Sequence, residues 1–128
     1  MRPALAALLA ACGGATPGLP DLGGTWMGAC VFADATQTLT APVELDIADG
    51  RGARLSGSAT VTMYDGRVFS GPLSGDRASG ALHLEAALDG GYGFEVRGGM
   101  DGLDIAGECR FRVPGGVGAL VGTLELQR

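Results

Sequence analysis

The chain lacks several residue types on which common protein functions depend. It contains no lysine, a single histidine and few aromatic residues, which make up 5% of its 128 positions. Without lysine there is no Schiff-base chemistry, and no Gly-x-Ser-x-Gly nucleophile motif occurs. The arginines are scattered, and the net charge is -5, which argues against a nucleic-acid partner and against electrostatic adhesion to anionic lipid. We therefore expect no enzymatic activity and no nucleic-acid binding.

The polar residues indicate no site either. His83 shares the outward face of its strand with Glu85, and one histidine without a second histidine or a cysteine nearby predicts no zinc site. The carboxylates of Glu44 and Asp46 also share an outer face, and acid–base chemistry would require burial to separate their pKa values. The sequence thus predicts no metal, no cofactor and no catalytic residue. The outer arginines are instead expected to pair with glutamates across strands: Arg97, Arg110 and Arg112 with Glu95, Glu108 and Glu125.

The N-terminus carries an export signal. Arg2 gives a positive start, Ala4 to Ala11 is apolar, and Leu9-Ala10-Ala11-Cys12 follows, an arrangement typical of secretory signals. Eight apolar residues are too few to span a bilayer as a helix. Ordinary signal cleavage nearby, a misplaced start codon and a cytoplasmic chain are the alternatives.

The tetrapeptide ending at Cys12 resembles the lipobox of bacterial lipoproteins, although the leader is shorter than usual. The resemblance implies that residues 1–11 are a signal peptide and that Cys12 becomes the lipidated first residue of the mature chain. It also implies a cell-envelope location with a membrane anchor, and Gly13 fits outer-membrane sorting. Residues 12–23 are expected to form a Gly- and Pro-rich linker.

From residue 24 to 128 the sequence predicts one all-β domain. Apolar and polar residues alternate with a period of two, as in antiparallel strands with one wet and one dry face. Four Asp-Gly pairs mark tight turns. At the second pair, Met63 and Phe69 share a face only if the loop has three residues, Asp65 to Arg67. The predicted strands are about 24–33, 38–48, 53–64, 68–74, 79–88, 92–99, 103–113 and 118–127.

Glycine recurs two residues after a large apolar residue in nearly every predicted strand. Glycine within a strand usually marks a bend or a close backbone approach. One such glycine per strand predicts a sheet curled into a closed eight-stranded up-and-down barrel. The barrel can have a round or a flattened cross-section. The glycines are Gly28, Gly57, Gly71, Gly98, Gly107 and Gly122.

Gly24-Thr25-Trp26 opens the first strand and resembles the Gly-x-Trp motif of lipocalins. The resemblance implies a meander barrel whose closed end is filled by the indole of Trp26, with a basic residue covering it. Arg128 is the residue placed to do so. The chain is shorter than a lipocalin and lacks a C-terminal helix, so the resemblance supports the barrel and no particular ligand.

Two cysteines remain once Cys12 is assigned to lipid. Cys30 and Cys109 both face inward, and a pair in an exported protein predicts a disulfide. The eighth strand separates the first from the seventh, and two strand spacings are about 9.5 Å, whereas a disulfide requires Cα atoms within about 7 Å. The bond thus requires a flattened interior, and buried free thiols are the alternative.

Two functions remain open for such a barrel. A filled interior would make it a non-enzymatic binding or structural module for an envelope protein; a hollow one would make it a carrier of a small apolar ligand. Inward glycines leave space, and aromatic side chains fill it. The expected interior contacts are Trp26, Phe32, Phe69, Phe94 and Phe111.

Overall fold

The computed structural model describes residues 20–78, 80–116 and 118–128. Eight antiparallel strands form a closed up-and-down barrel in chain order, with the last strand paired to the first. The predicted fold class is therefore confirmed. The strands are β1 (Gly24–Ala33), β2 (Thr38–Asp49), β3 (Arg54–Thr62), β4 (Val68–Ala78), β5 (Ala81–Ala87), β6 (Gly93–Asp101), β7 (Asp104–Arg112) and β8 (Ala119–Gln127), with a short 3-10 turn at Asp89–Gly91.

The predicted signal peptide and the lipobox cysteine, Cys12, lie outside the described residues, as does most of the predicted linker. The last linker residues, 20–23, are described and pack against the barrel, where Leu22 is 1% exposed. Among the described residues, no helix is long and apolar enough to cross a bilayer.

The alternating pattern separates a single core from the outer wall. β2 shows the period of two most clearly, because Ala41, Val43, Leu45 and Ile47 are buried and the residues between them are exposed. Buried apolar side chains from all eight strands form one cluster inside the barrel. Its burial is the main favourable contribution to folding.

The glycines within the strands are sites of close backbone approach. A Cβ atom on Gly57 would lie 1.9 Å from the carbonyl oxygen of Asp46, and one on Gly71 would lie 1.8 Å from that of Ala87. Neither distance is physically attainable. The space beside these glycines is occupied by the neighbouring strand, so they allow tight curvature and do not enlarge the interior.

The barrel has two different ends. At the closed end, β1 begins and β8 finishes, and residues 20–23 lie beside the 50–53 connection. At the opposite end, here called the loop end, the connections are 34–37, 63–67, 88–92 and 113–118.

The hairpin between β3 and β4 has the predicted length of three residues. The N–H of Met63 donates to the carbonyl of Arg67, and Gly66 has a φ of 89°, a conformation that glycine adopts without strain. The loop is Tyr64 to Gly66, one residue earlier than predicted. Met63 and Phe69 are both buried, as the shared face requires.

Candidate functional sites on the barrel

Trp26 fills the closed end. Its side chain is 0% exposed, and its indole Nε1 donates to the carbonyl of Leu22 at 2.9 Å. The guanidinium carbon of Arg128 lies 4.6 Å from the indole centroid, in cation–π contact. Arg128 also donates to the carbonyls of Asp21 and Gly23. The expectation that Arg128 covers the indole is confirmed.

A second arginine at this end was not foreseen. Arg77 points inward from the end of β4 and is 6% exposed. Its guanidinium donates only to backbone carbonyls, those of Pro20, Gly50, Arg51 and Gly52. Buried charge is costly unless it is fully hydrogen-bonded, and these bonds tie the incoming chain to the β2–β3 connection. The sequence indicated this position only through the alternation of β4, which places residue 77 on the same inward face as Phe69 and Leu73.

Cys30 and Cys109 form the predicted disulfide, with Cα atoms 6.1 Å apart. β8 lies between them, since Cys30 pairs with Leu124 and Cys109 with Gly122. A Cβ on Gly122 would lie 2.4 Å from the carbonyl oxygen of Val31, so the wall turns sharply at this glycine. That curvature brings β1 and β7 closer than two flat strand spacings would allow.

Three aromatic rings pack together at the loop end. The ring centroids of Phe69 and Tyr92 are 4.3 Å apart, and that of Phe111 is 5.5 Å from each. The guanidinium of Arg67 lies over Phe69 and Tyr92, at 5.4 and 5.9 Å from their centroids. The interior at this end is therefore covered by an aromatic layer with a cation above it.

Arg67 is held from outside the barrel. Its Nε donates to Asp65 Oδ2 at 2.8 Å, and one terminal nitrogen lies 3.4 Å from the Tyr92 hydroxyl. The backbone N–H of Arg67, and then its side chain, lower the pKa of Asp65. The Arg67 side chain is nevertheless 59% exposed, so few contacts oppose its displacement.

The five aromatic residues expected to line the interior all point into the core. Phe32, Phe69, Phe94 and Phe111 lie toward the loop end and Trp26 at the closed end, with exposures of 0–8%. All five belong to the single apolar cluster, in which the ring of Phe69 packs against that of Phe111. Their contact with a ligand stays a prediction.

The outer wall carries a buried carboxylate. Glu95 points outward from β6, yet it is 2% exposed because side chains from three strands cover it. His83 Nε2 lies 2.6 Å from its Oε2, Arg97 donates to Oε2 at 3.0 Å, and Arg112 donates to Oε1 at 2.6 Å. Burial of Glu95 raises its pKa, but the His83 and Arg97 hydrogen bonds and the charges of Arg97 and Arg112 outweigh this and place the pKa below its ordinary value.

The expected cross-strand pairs are found only in part. Arg112 reaches Glu95 across strands, as predicted, whereas Arg97 pairs with Glu95 and Arg110 with Glu108 along a single strand. The burial of Glu95 could not be anticipated, because its alternation phase is that of an exposed residue.

His83 stands between two glutamates. Its Nε2 lies 3.4 Å from Glu85 Oε1 on its own strand, in addition to the contact with Glu95. Glu85 and Glu95 lie directly opposite each other on β5 and β6. A cleft of about 400 Å³ on the outer wall is lined by His83, Glu85 and Asp76 among others. The neighbouring glutamate on β5 was recognised from sequence, and the one on β6 was not.

No family model, no curated protein and no solved structure matches this chain. The barrel architecture is the one that the lipocalin resemblance implies.

Proposed function

We propose that this protein is a lipid-anchored component of the bacterial cell envelope that acts as a non-enzymatic binding module through its loop end. One observation carries the proposal: the chain that follows the lipobox-like Leu9–Cys12 segment enters the barrel at the closed end, where Arg77 donates to the carbonyl of Pro20. An anchor at Cys12 would attach there and leave the loop end directed away from the membrane.

The distance from the anchor supports this arrangement. Pro20 is eight positions after Cys12, and an extended chain of that length spans at most roughly 28 Å. The disulfide supports export, because such bonds persist in oxidising compartments.

The rim of the loop end supports a contact with another protein. Tyr64 and Val68 are each 58% exposed, on the β3–β4 hairpin, and Val113 and Leu120 are 41% and 38% exposed, beside the β7–β8 connection. The strand order places these two hairpins on opposite sides of the barrel. Their exposed apolar side chains form a rim suited to an envelope protein partner.

The anchor is tested by fractionating cells that express the wild-type chain or Cys12→Ser. We expect the variant to leave the membrane fraction and to lose incorporation of labelled palmitate. The control is Cys30→Ser/Cys109→Ser, which removes the disulfide and should remain membrane-bound. Unchanged membrane partition of Cys12→Ser would contradict the proposal.

The binding surface is tested with a photo-crosslinking residue at Val68, on the loop end, or at Leu103, which is 83% exposed in the β6–β7 connection at the closed end. A discrete crosslinked partner from position 68 and none from 103 is the expected result. Equal crosslinking from both positions would contradict a loop-end partner.

Carriage of a small apolar ligand is the second candidate. Its support is the aromatic layer of Phe69, Tyr92 and Phe111, since displacement of the exposed Arg67 side chain would uncover an apolar surface for a ligand. Native mass spectrometry of the chain secreted in its own host distinguishes the two functions. An added mass of a few hundred daltons that is lost on denaturation indicates a carrier, and a bare chain indicates the binding module.

A further inference from the structure

We propose that His83, Glu85 and Glu95 form a binding site for a zinc-class divalent ion on the outer wall of the barrel. Their ligand atoms, one imidazole nitrogen and two carboxylate oxygens, all lie within 4.8 Å of one another. Imidazole and carboxylate are ordinary zinc ligands, and a site with three protein ligands leaves one position for water.

The strand geometry explains why these residues converge. His83 and Glu85 are two apart on β5 and project from the same face, and Glu95 lies opposite Glu85 on β6. The three side chains therefore occupy one corner of the sheet lattice. Rigid strands on both sides hold them, which favours a defined coordination geometry.

The distances fit a metal ion with a small adjustment. Zinc binds nitrogen and oxygen at about 2.0–2.2 Å, so tetrahedral ligands lie about 3.4 Å apart. His83 Nε2 and Glu85 Oε1 are already 3.4 Å apart, whereas His83 Nε2 and Glu95 Oε2 are 2.6 Å apart. Zinc binds the unprotonated nitrogen of a neutral imidazole, so the Nε2 proton would pass to water or be replaced by one on Nδ1. His83 Nε2 and Glu95 Oε2 would then move apart by roughly 1 Å or less.

The two arginines on Glu95 do not need to leave. Arg112 binds the other carboxylate oxygen, and Arg97 approaches Oε2 from its own strand, so both can orient the carboxylate by hydrogen bonds while it binds the ion. The charges of the two arginines are opposed by the carboxylates of Glu85, Glu95 and Asp76. Asp76 lies opposite His83 on β4 and lines the same cleft. Water or Asp76 would complete the coordination.

The like charges give an independent reason for a cation. Directly opposed carboxylates on neighbouring strands destabilise a sheet, and Glu85 and Glu95 are such a pair. Glu85 has no ion pair with an arginine among the described residues; its contact is with His83. A divalent ion between the three ligands would compensate Glu85, which the two arginines on Glu95 do not pair with.

The test uses the full-length Cys12→Ser chain, in which the only cysteines are the disulfide pair. Zinc chloride is titrated while the imidazole is followed by ¹H–¹⁵N NMR, and because the chain has one histidine, every imidazole signal reports His83. We expect saturation at one equivalent with a large shift of the Nε2 resonance.

Two variants define the ligand set. His83→Ala and Glu85→Gln should each weaken zinc binding by at least about tenfold, because loss of a group that only orients a ligand already costs about that much. Zinc affinity is measured by competition with a chromophoric chelator. Glu44→Gln is the matched control, since Glu44 is exposed on β2, three strands away from β5 in the barrel order, and it should bind like the parent. Glu95 is not substituted, because its removal would leave Arg97 and Arg112 without the carboxylate that they share.

The proposal is overturned if the His83 signals do not respond to excess zinc. It is also overturned if Glu85→Gln binds as tightly as the parent, which would mean a single histidine contact. Glu85→Gln preserves side-chain shape, and its unchanged backbone spectrum would show that it is folded. These results do not depend on the membrane anchor or on a loop-end partner.

Discussion

The two ends of the barrel carry arginines that are held in opposite ways, as Arg77 and Arg67 show. Arg77 at the closed end is 6% exposed and donates to four backbone carbonyls. The side chain of Arg67 at the loop end is 59% exposed and lies over aromatic rings. A guanidinium as buried as that of Arg77 has little access to water that could replace its carbonyl acceptors, whereas a solvated guanidinium can leave its ring at little cost. The closed end is therefore a structural seal, and the loop end is the one available for recognition.

The largest expected effect is at Arg77. Arg77→Ala would leave several carbonyls at the closed end without a donor and should lower the free energy of unfolding by about 3 kcal/mol or more. Arg67→Ala is the matched substitution at the loop end and should leave stability close to wild type. Chemical denaturation followed by the fluorescence of Trp26 measures both. Similar losses in the two variants would contradict the distinction between the ends.

The in-strand glycines are expected to matter equally at both ends. Gly57 and Gly71 approach neighbouring backbones near the closed end and the loop end, respectively, and an added Cβ would force the strands apart. Gly57→Ala and Gly71→Ala should each destabilise the barrel by about 1–3 kcal/mol through overpacking and strain, measured by the same denaturation experiment.

Gly52 supplies the control for this prediction. The nearest atom to a Cβ built there is 4.0 Å away, so Gly52→Ala should be neutral or slightly stabilising through the unfolded state. A loss at Gly52 equal to that at Gly57 would show that general glycine effects, and not close approach, limit the barrel.

The smallest expected effect is at Asp34 on the loop end. Its Oδ1 accepts hydrogen bonds from the Thr36 N–H, the Thr36 hydroxyl and the Gln37 N–H, which lower the pKa of Asp34 in the folded state. A lowered folded-state pKa contributes stability above the unfolded pKa of about 3.9, and this contribution is lost as pH falls through the folded value. NMR titration should find a midpoint below 3.9, and Asp34→Ala should be slightly less stable at pH 7 and indistinguishable well below both pKa values. A midpoint at or above 3.9 would contradict this prediction.

The strand pattern was readable from sequence because alternation is a local property. The apolar set of β2 and the glycine two residues after each large residue report which face a side chain takes, whatever the partner strand. The contact of Arg128 with Trp26 was also expected. The lipocalin resemblance places a basic residue from the last strand there, and Arg128 directly follows β8.

The candidate sites depended on contacts between strands. The alternation at Glu95 is that of an exposed residue, and only the registers of β5, β6 and β7 bring His83, Arg97 and Arg112 over it. Arg77 likewise depends on the fold, because residues 20–23 and the 50–53 connection, which supply its carbonyl acceptors, are more than twenty positions away along the chain.

The sequence by itself determined eight strands, the tight turns between them and two inward cysteines, because each follows from residues adjacent in the chain. The tertiary structure decided that the cysteines bond across β8, because the sharp curvature at Gly122 brings their Cα atoms to 6.1 Å. It also decided which polar groups meet on the outer wall, since strand register, which places residues far apart in sequence side by side, is a property of the closed sheet.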